Sequence, residues 1–136
     1  MIDYENILTT CPYCGTGCGV HLQVLDGNLV GTLPAKGHIV SEGGLCIKGW
    51  NVHAFVNHPD RLRKPLIRKN GKLEEASWEE ALKLVGDKLN EIKSLNGPDS
   101  IALLTSAKCT NEENYLLQKF ARAVINTNNI DHCARL

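Results

Sequence analysis

Three cysteines lie within eight residues near the start of this 136-residue chain, in residues 9–20, TTCPYCGTGCGV. Cys11, Cys14 and Cys18 follow the spacing Cys-x2-Cys-x3-Cys, and Cys46 follows after 27 residues. Ordinary core packing does not require thiols at this density. The pattern therefore predicts a tightly bent loop whose cysteine sulfurs have a chemical role.

A cubane iron–sulfur cluster suits this spacing. Each of its four irons takes one cysteine sulfur, so one loop can supply three ligands while Cys46 supplies the fourth. Gly15, Gly17 and Gly19 remove side chains where the backbone must bend, and their N–H groups can face the sulfides. Structural zinc remains an alternative, although zinc ribbons usually offer two separated Cys-x2-Cys pairs. A thioredoxin-type redox pair is a weaker alternative, because no βαβ pattern surrounds Cys11.

Other residues that could carry chemistry give weaker signals. Lys48 lies two residues after Cys46 and would bridge a cluster to an anionic neighbour, although a surface lysine fits the spacing equally well. Cys109 and Cys133 are isolated in mostly apolar stretches, which favours cysteines without a metal role. The five histidines show no metal-ligand spacing among themselves.

Composition restricts the function classes. Fifteen Lys and Arg balance fifteen Asp and Glu, so net charge does not suggest a nucleic-acid or membrane-surface partner. The sequence contains no run of 18 apolar residues, so it predicts no membrane-spanning helix. The first ten residues, MIDYENILTT, resemble no signal peptide, and we expect a cytoplasmic protein. Three disulfides are disfavoured for the same reason.

Two hairpins and a long helix are predicted from local signals. Residues 7–33 read as strands around the turn Asp26-Gly27, and a second hairpin turns at Asn70-Gly71. Residues 43–56 read as a turn and then a helix. Ser77 opens a helix to about Leu95, with Glu80 three residues on. One face is expected to be buried, formed by the apolar residues Trp78, Ala81, Leu82, Val85, Leu89 and Ile92.

The C-terminal half predicts the start of a parallel α/β sheet. Residues 100–107 read as a strand buried on both faces, residues 111–125 as a helix, and NNIDH as the start of another strand. The inward face of this helix is expected to comprise Leu116, Phe120, Ala123 and Val124. We expect an incomplete domain; a small α+β protein complete in itself is the alternative.

Four segments, CPYCGTGCGV, GGLCIKGW, CTNEENYLLQKFARAV and NNIDHCARL, resemble the N-terminal part of the catalytic (alpha) subunit of molybdopterin-dependent formate dehydrogenases. The resemblance runs along nearly the whole chain. The first segment is shared by much of the molybdopterin oxidoreductase family, including nitrate reductases. The implied fold is a mixed α+β and α/β one: a small iron–sulfur β-hairpin domain in residues 1–62, followed by the start of an α/β molybdopterin-binding domain in residues 63–136.

The resemblance also implies the site. Cys11, Cys14, Cys18 and Cys46 would hold a [4Fe-4S] cluster, and Lys48 would relay electrons between the cluster and a pterin. Two pyranopterin guanine dinucleotides would hold one molybdenum or tungsten. Pterin contacts are expected in residues 108–114, which lie between a strand's carboxyl end and a helix, from Lys108, Asn111, Glu112 and Asn114.

The activity implied by the resemblance is reversible oxidation of formate to carbon dioxide. The electrons would leave through a partner subunit that carries iron–sulfur clusters or flavin, and similarity to methanogen enzymes implies coenzyme F420 as acceptor. Another molybdopterin oxidoreductase, of nitrate reductase type, or a stand-alone iron–sulfur electron-transfer module are the alternatives.

The family places a metal-ligating cysteine or selenocysteine directly after the CARL-like stretch, where this chain ends at Leu136. We therefore expect truncation at a selenocysteine codon. Without that ligand the 136-residue chain is expected to lack formate dehydrogenase activity.

Overall fold

The computed structural model describes residues 3–133, which form two compact units. Within the described residues, the first unit comprises residues 3–61 and 106–114 with Cys133, and the second comprises residues 62–105 and 115–132. Ala134–Leu136, the end of the NNIDHCARL segment, and the expectation for the position after Leu136 lie outside the described residues.

The first unit is built on an antiparallel sheet of β1 (Glu5–Thr10), β2 (Gly19–Leu25) and β3 (Asn28–Pro34), in that order. The predicted turn at Asp26-Gly27 is confirmed, since both residues have positive φ, as type I′ hairpin turns require. Thr10 pairs with Gly19. The cysteine-rich segment is therefore the connection between β1 and β2.

After β3 the chain forms a short helix, α1 (Ile47–Trp50), and a 3₁₀ turn, Val52–Phe55. This turn is attached to the sheet, because the buried Thr32 hydroxyl lies 3.0 Å from Nδ1 of His53. Val20 of β2 and Val52 are both buried in the core of this unit. The predicted helix in residues 43–56 is thus confirmed as two short helical pieces.

The second unit begins with the predicted hairpin, β4 (Leu66–Lys69) and β5 (Lys72–Glu75), which turns at Asn70-Gly71. The long helix α2 (Trp78–Asn96) follows. Ser77 caps it by accepting a hydrogen bond from the Glu80 N–H at 3.1 Å, as the sequence predicts. The Glu80 carboxylate pairs with Lys69 at 2.8 Å. Among the described residues, no helix has the length and apolar character needed to cross a membrane.

The C-terminal segment contains β6 (Leu103–Ser106), α3 (Asn111–Phe120), a π-helical turn Ala121–Ile125 and β7 (Ile130–Cys133). Leu103 N–H donates to the Asn129 carbonyl and Ala107 N–H donates to the Cys133 carbonyl. From the first bond to the second, the donor and the acceptor both move four residues toward the C-terminus. The strands β6 and β7 therefore run parallel, as predicted.

Two burial predictions are wrong for the described part of the chain. The apolar face of α2 is present but not covered, since Trp78 is 68% exposed and the helix has no buried residue. Leu104 of β6 is 82% exposed, so this strand is not buried on both faces. The reason is physical: periodicity specifies which residues can be buried, whereas burial needs a packing partner.

The predicted inward face of α3 is wrong too. Leu116 and Val124 are exposed, whereas Ala121 and Ile125 are buried. The last turn is π-helical, with i→i+5 geometry, so residues there do not continue the 3.6-residue period assumed from the sequence. The more buried side chains are Leu117, Ala121 and Ile125, each one position after a predicted residue, and this displacement begins before the π turn.

Replacement of Ser77 by Ala is expected to lower the free energy of unfolding by about 1 kcal/mol, because the Glu80 N–H loses its capping acceptor. The measurement is urea denaturation followed by far-UV circular dichroism. Ser94→Ala, inside the same helix, is the matched control and should be neutral or slightly stabilising. Equal losses in both variants would contradict a capping role.

Candidate metal centre

The cysteine-rich loop is closed by its own backbone. Cys11 N–H donates to the Cys18 carbonyl at 2.8 Å, directly after the last β1–β2 pair. Gly17 has φ +67°, in the left-handed region where residues with a Cβ are strained. The loop thus folds back on itself within eight residues and turns its cysteines toward one side.

A second loop supports the point where the cysteine loop re-enters the sheet. Gly19 N–H donates to Ser41 Oγ at 3.2 Å. The His38 ring lies so close to the Gly19 α-carbon that a Cβ there would overlap it. The residue after Cys18 is therefore fixed by residues from the segment that leads to Cys46.

Cys46 occupies the N-cap position of α1. The pKa of its thiol is lowered, chiefly by the backbone N–H groups of Gly49 and Lys48 and further by the Lys48 charge. The Cys46 side chain makes no capping hydrogen bond within ordinary geometric limits, yet both N–H groups act on its sulfur and lower the pKa. The environment favours the thiolate, the form that binds metals.

The four predicted cysteine ligands line one cavity of about 690 Å³ within the first unit. The pKa of Cys18 is raised, first by burial and then by the neighbouring thiols of Cys11, Cys14 and Cys46. The shared cavity is the geometric observation that places the four cysteines beside one another. Within residues 3–133, no group of three or more His, Cys, Asp or Glu side chains is placed for a single metal ion.

Lys48, the predicted electron relay, lies on the wall of the same cavity. Its ammonium is 4.7 Å from the centroid of the Tyr13 ring, within cation–π range. Lys108 lines the cavity as well. Two cationic side chains therefore accompany the cysteines.

The other predicted pterin-contact residues lie at the start of α3. The Asn111 side chain donates to the Gly15 carbonyl of the cysteine loop at 2.9 Å. The Asn114 amide nitrogen reaches the carbonyls of Ser106 at 3.2 Å and Thr110 at 3.1 Å, while its Oδ1 is buried and has no partner among the described residues. Glu112 is exposed. Their role as pterin contacts stays a prediction.

The residues of this cavity fit an iron–sulfur cluster. The predicted ligands are all cysteine sulfurs, three from the closed loop and one from a second segment, and all four residues line the same cavity. Backbone N–H groups already face one sulfur, at Cys46. Soft thiolate ligands with N–H groups around them are the usual surroundings of such clusters.

Three features of the site were not predicted. The contact between Tyr13 and Lys48 is the first, and its only sequence signals are an aromatic residue within Cys-x2-Cys and a lysine two residues after Cys46. Cys133 also lines the cavity, with its Sγ 3.7 Å from Ser106 Oγ. The Asn111–Gly15 contact joins residues 96 positions apart, and no local signal indicates it.

We expect Gly15→Ala to destabilise the chain by about 1 kcal/mol, because the new Cβ would lie 2.5 Å from Asn111 Oδ1. Gly15 does not have positive φ, so the backbone itself accepts Ala. The Asn111→Ala substitution should therefore remove the cost, and the double variant should unfold at the same urea concentration as Asn111→Ala alone.

Gly17→Ala is the matched control for this pair. It should cost about 1–2 kcal/mol from backbone strain alone, since no atom lies within 4 Å of its Cβ position. Asn111→Ala should not relieve that loss. Additive effects of Gly15→Ala and Asn111→Ala would show that the contact does not exist in solution.

Two family models match the chain. The Fe4S4 domain of molybdopterin oxidoreductases matches residues 5–58, and the molybdopterin oxidoreductase domain matches residues 61–136. The first match contains all four cavity cysteines that the spacing singles out.

Similar proteins point the same way. The chain is 58% identical over 135 residues to F420-dependent formate dehydrogenase 1 subunit alpha of Methanococcus maripaludis, covering 99% of this chain and 19% of that protein. It is 47% identical to F420-dependent formate dehydrogenase subunit alpha of Methanocaldococcus jannaschii, covering 99% and 19%. The chain therefore spans about a fifth of these relatives' length.

Among solved structures, acetylene hydratase from Pelobacter acetylenicus resembles the chain with a TM-score of 0.76 and 25% identity. The likeness covers 92% of this chain and 18% of the hydratase. Sequence and fold therefore agree: this chain belongs to the molybdopterin oxidoreductase family.

Proposed function

We propose that this chain provides the iron–sulfur domain and the first part of the molybdopterin domain of a formate dehydrogenase alpha subunit. Cys11, Cys14, Cys18 and Cys46 are the proposed cluster ligands. The observation that carries this assignment is that the four thiols line one cavity, within a segment that matches an Fe4S4 domain. The proposed domain boundary lies between residues 62 and 63.

The chain's own residues would prepare this cavity for a cluster. The Cys11–Cys18 backbone hydrogen bond holds three thiols on one loop. The N–H groups of Lys48 and Gly49 favour the thiolate of Cys46. A bound [4Fe-4S] cluster would supply one-electron transfer at this position. Lys48, held on the cavity wall, is the proposed electron relay.

The pterin side is proposed at Lys108 and the start of α3. Lys108 presents a cation to the cavity, and Asn114 has a buried amide oxygen without a partner among the described residues. An anionic, hydrogen-bonding cofactor would satisfy both. Asn111 and Glu112 remain proposed contacts. The proposed cofactor is a bis-pyranopterin guanine dinucleotide that carries molybdenum or tungsten.

Formate is the proposed substrate because the relatives that match along 99% of the chain are formate dehydrogenase alpha subunits. Their names include F420, so we propose an F420-linked partner subunit, a role in methanogenesis and a cytoplasmic location. Selenocysteine after Leu136 remains a prediction, and reading the gene beyond codon 136 tests it.

Replacement of any one of Cys11, Cys14, Cys18 and Cys46 by Ser should abolish stable incorporation of the cluster, since each would bind one iron. The chain is reconstituted anaerobically with iron and sulfide, and iron, sulfide and zinc are then measured. About four irons and four sulfides per chain are expected for the unsubstituted chain.

Cys109→Ser and Cys133→Ser are the matched controls and should retain the cluster. Cys133 is the stricter control because it lines the same cavity. A colourless chain with one zinc would instead identify a structural zinc site. Full retention of iron in Cys46→Ser would contradict the proposed ligand set.

The substrate is tested on a subunit of the relatives' full length, purified anaerobically. We expect reduction of coenzyme F420 by formate and no reduction of nitrate. Nitrate reduction without formate oxidation would favour the nitrate reductase alternative. The 136-residue chain should show neither activity.

A further inference from the structure

Lys48 reaches the cavity wall on a flexible four-carbon side chain. A lysine ammonium in this situation would sample many positions unless something fixes it. Within residues 3–133, no carboxylate lies within ion-pair distance of Lys48. The contact that the structure gives it is the Tyr13 ring, 4.7 Å away.

Tyr13 is well placed to fix this cation. It lies between Cys11 and Cys14, so its backbone is part of the closed loop that carries three of the four thiols. The residue is half-buried, and its side chain lines the same cavity as Lys48. The ring face carries negative electrostatic potential, which attracts an ammonium at this distance.

We propose that Tyr13 is a positioning residue for Lys48: its ring sets where the ammonium stands relative to the cysteine cavity. The ring and three thiols share one loop, so the distance from the cation to the sulfur groups does not depend on the lysine side chain alone. The requirement is for an aromatic face and not for the hydroxyl. This inference rests on the proposed function only in assigning Lys48 a role beside a cluster.

The contact itself is tested without a cluster. Lysines of the iron-free chain are reductively methylated with ¹³C-formaldehyde, which keeps their charge, and the methyl resonances are recorded by NMR. The Lys48 resonance, assigned by its loss in Lys48→Gln, should lie upfield because of the Tyr13 ring. The chain provides an internal comparison in Lys119, whose ammonium is 6.0 Å from the Tyr115 ring and should shift less.

Two substitutions separate the ring from the hydroxyl. Tyr13→Phe should preserve the Lys48 shift, whereas Tyr13→Leu should move the resonance to the position of a solvent-exposed lysine. A Lys48 resonance at the exposed position in the unsubstituted chain would overturn the proposal. So would an unchanged resonance in Tyr13→Leu.

The consequence is tested on the chain loaded with iron and sulfide, by a redox titration with dithionite followed by EPR. A cation held near the cluster favours the reduced, more negative state. Tyr13→Leu should therefore lower the midpoint potential in the same direction as Lys48→Gln, and Tyr13→Phe should leave it unchanged. In the Lys48→Gln background, Tyr13→Leu should produce no further shift.

An additional shift in the double variant would show that Tyr13 acts on the cluster independently of Lys48 and would overturn the positioning role. The two tests also separate this inference from the proposed function. Failure of the chain to bind a cluster would contradict the function, whereas the NMR result decides the contact between Tyr13 and Lys48 by itself.

Discussion

The arrangement of the first unit brings four cysteines, Cys11, Cys14, Cys18 and Cys46, to the wall of a single cavity. Burial and the three neighbouring thiols raise the pKa of Cys18, so its thiolate is disfavoured there. The backbone nevertheless holds the cysteine loop in place, because the Cys11–Cys18 hydrogen bond closes the loop between the paired strands β1 and β2. Metal binding would displace the thiol protons, and the metal would neutralise part of the resulting thiolate charge.

Local chemistry made much of the fold predictable. The turns at Asp26-Gly27 and Asn70-Gly71 and the Ser77 cap each depend on residues within a few positions of one another, so a single sequence contains the whole cause. The cysteine spacing belongs to the same class, since three of the four thiols come from one short loop. Only Cys46 lies outside this loop, and the spacing of the cysteines predicted it as the fourth ligand.

What the sequence could not reveal depends on partners. The apolar face of α2 was predicted correctly, yet Trp78 on that face is largely exposed in the described part of the chain. Periodicity depends on the helix alone, whereas burial also needs a second element that packs against it. The sequence of α3 offers apolar residues at both Leu116 and Leu117, and in the structure the second of them is the more buried. At the site, the Tyr13–Lys48 and Asn111–Gly15 pairs are contacts between distant segments that only the folded chain brings together.

The Asn111–Gly15 hydrogen bond has a consequence for the order of events during synthesis. Its two residues are 96 positions apart, and a contact of such long range forms only after the intervening chain has been made. At about 5–20 residues per second, the cysteine loop leaves the ribosome several seconds before Asn111 can reach it. During that interval the loop can form its own closing hydrogen bond, between Cys11 and Cys18, but not this distant restraint.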